Sequence, residues 1–311
     1  MAIVNTQVPI TAQSCEQMIL DLVATYPQCR TELLGRTAFQ RPIRSLVLGN
    51  GPRTVLFSAS HHANEWITSL VLLKYAEELA KAAAEGGNVF DRPAARILEA
   101  VTIHMVPMVD PDGVDLVVGA IEEGDVSYDL ARRIGEDFPA VPFPSGWKAN
   151  LLGTDLNLNY PAGWLMAREI KFSQGYTRPA PRDYVGRAPL NQLETQILAT
   201  YTRQLSPDLV LAYHAQGKEI YWQFRNIEVP GAEELGQQLA QVSGYTLAQP
   251  EYASSFAGYK DWFIQEFRRP GYTIEVGQGE NPLPLSQFEE IYQANEPLMT
   301  VAALGGIEIE V

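Results

Sequence analysis

Four histidines stand among the 311 residues of this chain, and the company they keep decides what chemistry is open to it. His62 and Glu65 lie three positions apart in the stretch Ser58-Ala59-Ser60-His61-His62-Ala63-Asn64-Glu65-Trp66. A strand-like apolar run, Thr54 to Phe57, leads into this stretch, and a helical pattern from Trp66 to about Glu85 leaves it. Where a strand passes into a first helical turn, side chains three apart share one face. An imidazole and a carboxylate so placed can take two corners of a tetrahedral zinc site. One His-x-x-Glu is a weak signal by itself, so a third ligand and a base have to come from elsewhere in the chain.

Two later strands supply them. His214 ends the buried run Leu209 to Tyr213, and Glu275 lies within Tyr272 to Val276. In an α/β sheet, residues at or just past the carboxyl ends of strands converge on the ligand crevice. Two histidines and a glutamate leave a fourth position for water, the arrangement of a catalytic rather than a structural site. Glu275 is the candidate general base, because a carboxylate among Tyr272, Ile274 and Val276 is costly unless something demands it. His104, in the middle of the strand pattern Val101 to Val106, reads as a core histidine with a satisfied partner.

The elements that must position these groups follow from periodicity. Ser14 with Gln17 makes a capping box for a helix that Pro27 stops. Thr31 to Leu34 and Ile43 to Leu48 read as a hairpin across Gly35-Arg36-Thr37-Ala38. Gly86-Gly87 ends the long helix. From Val114 to about Asn191 periodicity fades, while prolines interleave with Trp147, Tyr160, Trp164, Tyr176 and Tyr184. Flexible linkers lack such aromatics, and long loops inside a compact domain are usually functional, so about 114–190 is expected to wall a binding cleft. Asn191 with Glu194 reads as a second capping box, opening a helix to about Leu205. Helices over about 232–243, 260–267 and from about Leu285 alternate with the strands at 209–213, 219–222 and 272–276. The class is α/β with a mixed sheet, in one domain over 1–311.

Composition narrows the partners. A net charge of −14 argues against nucleic acid and anionic membrane surfaces, which need basic patches. Cys15 and Cys29 are too few for a disulfide framework and suit a reducing compartment. The start Met1-Ala2-Ile3-Val4-Asn5-Thr6 lacks the basic and apolar regions of a secretory signal, and no apolar run approaches the ~18 residues of a membrane span. The expected location is cytoplasmic.

Taken together, these motifs resemble the zinc carboxypeptidases of the M14 type, most nearly their bacterial branch of γ-D-glutamyl-(L)-meso-diaminopimelate peptidases. His62-Ala63-Asn64-Glu65-Trp66 resembles the family's first-ligand motif and Asp110-Pro111-Asp112-Gly113 its structural turn. His214-Ala215-Gln216-Gly217 resembles the third-ligand motif, and Tyr272 to Gly277 the strand of the general base. Trp147-Lys148-Ala149-Asn150, Asp155-Leu156-Asn157 and Tyr160 to Trp164 are the most branch-specific stretches. The resemblance implies a single α/β domain whose mixed, mostly eight-stranded sheet lies between helices, and one zinc per chain held by His62, Glu65 and His214. It places Lys148 near the family's oxyanion-steadying arginine, and Tyr252 or Tyr259 near its substrate-capping tyrosine. Carboxypeptidases proper carry Asn-Arg where this chain has Asn157-Leu158. Leucine cannot grip a terminal carboxylate with paired hydrogen bonds, so Lys218, Arg225 and Arg268 become the cationic candidates for that work. The activity implied is hydrolysis of the γ-D-glutamyl–diamino acid bond of small murein peptides on a recycling route. A metallocarboxypeptidase or an N-acyl amino acid amidohydrolase of different specificity is the alternative.

Overall fold

A computed structural model describes residues 2–306. In chain order, α1 (Ala12–Thr25) precedes the hairpin β1 (Cys29–Arg36) and β2 (Pro42–Leu48), then β3 (Arg53–Ser58) and α2 (Ile67–Glu85). A small ladder, β4 (Asn88–Val89) with β5 (Arg92–Pro93), leads through α3 (Ala94–Ala100) to β6 (Val101–Val106). Next come α4 (Pro111–Val117), α5 (Val126–Glu136), α6 (Trp164–Ser173) and α7 (Leu193–Leu205). The rest is β7 (Leu209–Ala215), β8 (Glu219–Tyr221), α8 (Ala232–Ser243), β9 (Thr246–Ala248), α9 (Tyr259–Phe267), β10 (Gly271–Val276) and α10 (Phe288–Leu304).

Eight strands form one sheet in the order β1-β2-β6-β3-β7-β10-β8-β9. The neighbours β6, β3, β7 and β10 run parallel, while the pairs β1–β2, β2–β6 and β10–β8 are antiparallel, so the sheet is mixed. The central strands are apolar on both faces because helices cover both. Val55 and Phe57 of β3, with Leu209, Leu211 and Tyr213 of β7, pack into a core shared with α1, α2 and α10. Leu56, Val210 and Ala212 point the other way, into a core shared with α6, α7 and α9. Each such side chain contributes roughly 1.5–3 kcal/mol on burial, which is what makes the strand ends rigid mounts.

Three local expectations change. The cap of α1 is Thr11, one turn before Ser14: its hydroxyl accepts from the Ser14 backbone and Ser14 Oγ accepts from Thr11 N at 2.9 Å. Serine at the third helical position closes this box, a variant that a search for Glu or Gln there passes over. Helix α7 has Gln192 at its cap and no side-chain bond there, because Asn191 and Glu194 are turned inward to other partners. The stretch 114–190 is not irregular throughout. Helix α5 buries only Ala131, and α6 spends an inward position on Lys171, so neither carries a legible apolar stripe.

Candidate active site

The three central parallel strands β3, β7 and β10 deliver the predicted groups to one place. His62 and Glu65 follow β3, while His214 and Glu275 lie near the carboxyl ends of β7 and β10 as register partners. Alternation along β10 sends Tyr272, Ile274 and Val276 into the far core, leaving Thr273 and Glu275 on the cleft face. Glu275 is therefore not embedded among those three apolar neighbours.

The loop after β3 is braced from several sides. Ser60 N donates to Thr68 Oγ1 at 3.1 Å, Thr68 Oγ1 donates to Glu65 O at 2.7 Å, and Asp110 N donates to Ser60 O at 2.9 Å. Ala63 N donates to Lys148 O at 3.2 Å, tying the loop to the branch-specific stretch.

Within this frame His62, Glu65 and His214 form a buried triangle. His62 Nδ1 lies 2.9 Å from Glu65 Oε1 and 3.0 Å from His214 Nδ1, and His214 Nδ1 lies 2.9 Å from Glu65 Oε2. His62 Nε2 donates to Asp155 Oδ1 at 3.1 Å, which fixes the proton on Nε2 and turns the Nδ1 lone pair inward. Three lone-pair atoms this close repel one another unless a cation sits among them. Ligand atoms at the corners of a tetrahedral zinc site are about 3.3 Å apart, given bonds of about 2.0–2.1 Å. The triangle fits zinc in donor set, spacing and supporting carboxylate.

The electrostatics agree. Burial opposes the charge on Glu65, but His62 and His214 outweigh it and hold the carboxyl well below its usual range. Burial likewise opposes the charge on Asp155, and His62 and Lys148 overcome it, so this second carboxylate stays ionised. Burial also disfavours the charge on Lys148, yet Asp155 and Glu65 raise its pKa, so it remains an ammonium. Glu275 is pushed up to about 8 by burial and then by the Glu65 charge. His104 is half-buried, with Nδ1 bonded to the Tyr201 hydroxyl at 2.7 Å, and burial lowers it to about 4. It is the core histidine its setting suggests.

A cleft of about 910 Å³ opens over the triangle, lined by Lys148, Asp155, Asn157, Leu158 and Glu275 among others. Part of its wall comes from 140–183, within the loop-rich stretch. Asn157 Oδ1 accepts from Tyr259 N at 2.9 Å, leaving its amide group for other work. The two tyrosines separate. Tyr259 is fully buried, and its hydroxyl pairs with Thr202 Oγ1 at 2.8 Å, so it cannot cap a substrate. Tyr252 is 68% exposed on a short turn whose neighbours Glu251 and Ser254 line the cleft.

The three distant cations are also displaced from that role. Lys218 pairs with Glu290 at 2.5 Å, Arg225 stacks on Phe224 and Phe256, and Arg268 is exposed past the end of α9. None of them lines the cleft, whereas Lys260, Lys171 and Arg182 do. Sequence reasoning passed over Asp155 as the partner of His62, and Lys260 as a buried cation. The Asp-x-Asn spacing at 155–157 was the only signal for the first, and nothing marked the second.

A family model described as zinc carboxypeptidase matches residues 15–297. The γ-D-glutamyl-L-diamino acid endopeptidase 1 of Lysinibacillus sphaericus is 39% identical over 275 residues, covering 88% of this chain and 67% of that protein. The uncharacterized protein YqgT of Bacillus subtilis (strain 168) is 34% identical over 286 residues, covering 91% of this chain and 74% of that one. Among solved structures, thrombin activatable fibrinolysis inhibitor superposes with a TM-score of 0.72 at 15% identity, covering 98% of this chain and 76% of that one. Murein-tripeptide amidase MpaA from Escherichia coli O157 superposes with a TM-score of 0.53 at 20% identity, covering 87% and 91%. These two structures speak for the fold.

Proposed function

The chain belongs to the zinc carboxypeptidase family, which makes it a metallopeptidase, and we propose that it hydrolyses the γ-D-glutamyl–diamino acid bond of small murein peptides. The observation that carries this reading is the cleft: Glu275 and Lys148 line it beside the His62–Glu65–His214 triangle, and so does Leu158, the residue that the resemblance sets in place of the carboxylate-gripping arginine of carboxypeptidases proper. The name of the 39% identical relative supports the γ-D-glutamyl linkage.

One zinc per chain, held by His62, Glu65 and His214, would supply Lewis-acid polarisation of the scissile carbonyl and a water acidic enough to attack near neutral pH. Glu275 is the carboxylate placed on the cleft face to accept the attacking water's proton. When the C–N bond breaks, Glu275 returns the proton to the amine of the diamino acid. The Lys148 ammonium balances the negative charge that gathers on the carbonyl oxygen. Asp155 holds the His62 ring in one tautomer throughout.

Small peptides rather than nucleic acid or membranes suit a chain of net charge −14. Among the described residues no helix is long and apolar enough to cross a membrane. Cys15 and Cys29 are both free and buried, which suits a reducing compartment and free murein peptides in the cytoplasm.

The test is mass spectrometry of L-Ala-γ-D-Glu-meso-diaminopimelate incubated with the zinc-loaded protein. Free diaminopimelate and L-Ala-D-Glu are the expected products. Hippuryl-phenylalanine should be cleaved at least about tenfold less efficiently, a difference of about 1.4 kcal/mol in transition-state binding. Faster cleavage of that α-linked compound would overturn the assignment.

A further inference from the structure

The cleft is charged unevenly from one end to the other. Lys148, Lys171 and Arg182 line it on the side of β3, where Ala63 N donates to Lys148 O. Glu219 of β8 and Glu251, just past β9, line it on the other side of the triangle. The strand order β3-β7-β10-β8 separates the two ends by three strand spacings, about 14 Å. Lys260, the remaining lysine of the wall, adds nothing to this balance, because it is closed on Asp261 at 2.5 Å.

Arg182 is mounted from both of its neighbours. The carbonyl of Pro181 accepts from Lys148 N at 2.8 Å and from Ala149 N at 2.9 Å, and Asp183 N donates to Asp155 Oδ2 at 3.3 Å. Asp183 takes a left-handed backbone, φ 66°, which aspartate tolerates better than most residues. One of its carboxylate oxygens accepts from the buried Lys171 Nζ at 2.6 Å, and the other accepts from Arg182 Nε at 2.6 Å. Lys171 by itself balances that carboxylate, so Asp183 does not need Arg182 for its charge. A guanidinium carries five N–H donors, four of them on its Nη atoms. The Arg182 side chain is 44% exposed and lines the cleft, and with Nε tied to Asp183 its two Nη groups meet no acceptor among the described residues.

We propose that Arg182 grips the free α-carboxylate of the D-glutamyl residue end-on through Nη1 and Nη2, so that the protein selects peptides whose glutamate is not amidated. This rests on the murein-peptide reading above and adds which form of the acyl half is accepted. The scissile carbonyl belongs at the triangle, beside Lys148, so the two halves of the substrate run toward the two ends of the cleft. The diamino acid carries an ammonium and suits the end that holds Glu219 and Glu251. The glutamyl half carries its carboxylate on a short stem from the scissile carbonyl and suits the cationic end. Paired bonds between a carboxylate and a guanidinium fork are strong and directional. A carboxamide has lost the charge and turns an N–H donor toward a donor, so D-isoglutamine leaves one Nη group unmatched.

The experiment measures kcat/KM of the zinc-loaded protein on L-Ala-γ-D-Glu-meso-diaminopimelate and on two amidated forms of it. The first form has D-isoglutamine in place of D-glutamate. The second is amidated at the diaminopimelate carboxylate next to the scissile nitrogen. Wild type should favour the parent peptide over the D-isoglutamine form by at least about tenfold. Arg182→Gln should lower kcat/KM on the parent by at least about tenfold and bring that ratio close to unity. Lys171 still answers Asp183 in this variant, so its zinc content should match that of wild type. A wild-type ratio near unity, or one that survives in Arg182→Gln, overturns the inference. So does a variant that loses its preference only against the second form, which would put the diamino acid's carboxylate on Arg182. Failure of wild type to cleave any of the three counts against the proposed activity instead. The calorimetric affinities of wild type and Arg182→Gln for free L-Ala-D-Glu and L-Ala-D-isoglutamine then decide Arg182, with the same ratios expected.

Discussion

Two regions of this molecule bury clustered carboxylates, and they do opposite things with them. Around the triangle, Glu65, Asp155 and Glu275 face a cleft and share it with His62 and Lys148, with His214 buried beside them. Behind the loop after β3, Asp110, Asp112, Asp115 and Glu194 are all at most 5% exposed, and none lines the cleft. There Arg41 closes the account of two of them, donating from Nε to Asp115 at 2.6 Å and from Nη1 to Asp112 at 3.0 Å. Asp110 caps α4 by accepting from Gly113 N, and burial followed by the nearby Glu194 charge raises its pKa well above the carboxylate range. The second cluster answers its charge with an arginine and with protons. The first keeps Glu65 and Asp155 ionised around converging lone pairs. A buried carboxylate is thus no sign of function by itself; what counts is whether its partners leave something unanswered and whether a ligand can reach it.

The contrast can be broken most severely at the triangle. His214→Ala should lose most of the bound zinc and with it the activity, because one of three protein ligands is gone. Elemental analysis showing undiminished zinc would remove His214 from the ligand set. Next in size, Glu275→Gln should retain zinc and fold but lose turnover by at least about 100-fold, the scale of a general base. Glutamine keeps the shape without accepting the proton, so retention of a tenth or more of wild-type turnover would show that the base lies elsewhere.

A smaller effect should come from Asp155→Asn. It leaves the three ligands in place but weakens the grip on His62 Nε2, with zinc affinity falling about 10–100-fold. Competition with a zinc-binding dye would read this directly, and an unchanged affinity would reduce Asp155 to a loop-fastening residue.

The smallest and most local change belongs to the second cluster. Burial, followed by the charge of Asp112, pushes Glu194 from 4.5 up to about 7 despite its bond from Asn150. A carboxyl whose folded value is raised binds its proton more tightly in the folded state. Its stabilising contribution is then complete below about 4.5 and fades as pH rises through about 7, by up to about 3 kcal/mol. Glu194→Gln cannot ionise, so melting temperatures at pH 5 and pH 8 should differ less in this variant than in wild type, with zinc content unaltered. An equal pH dependence in both proteins would place the ionisation on another group, and loss of zinc would merge the two clusters into one functional unit.

What the amino-acid sequence by itself determined is whatever depends on near neighbours along the chain. His62 and Glu65 reach one site because the chain turns from a strand into a helical turn between them. His214 and Glu275 come to it because parallel strands deliver their carboxyl ends to one edge, a rule that needs only the strands to be recognised. Apolar runs and helical spacing carried the sheet and most of its helices for the same reason, since their periods are local. Tertiary structure alone decided the remainder. Asp155 meets His62 across 93 positions of chain. Glu194 turns inward rather than capping its helix, and Tyr259 is sealed while Tyr252 stays exposed. Lys260 is drawn into the cleft while Lys218, Arg225 and Arg268 are left outside it. In each case the competing residues have the same chemical type and unremarkable spacing. Which of them enters the site depends on how distant segments pack, and that information is not local to any of them.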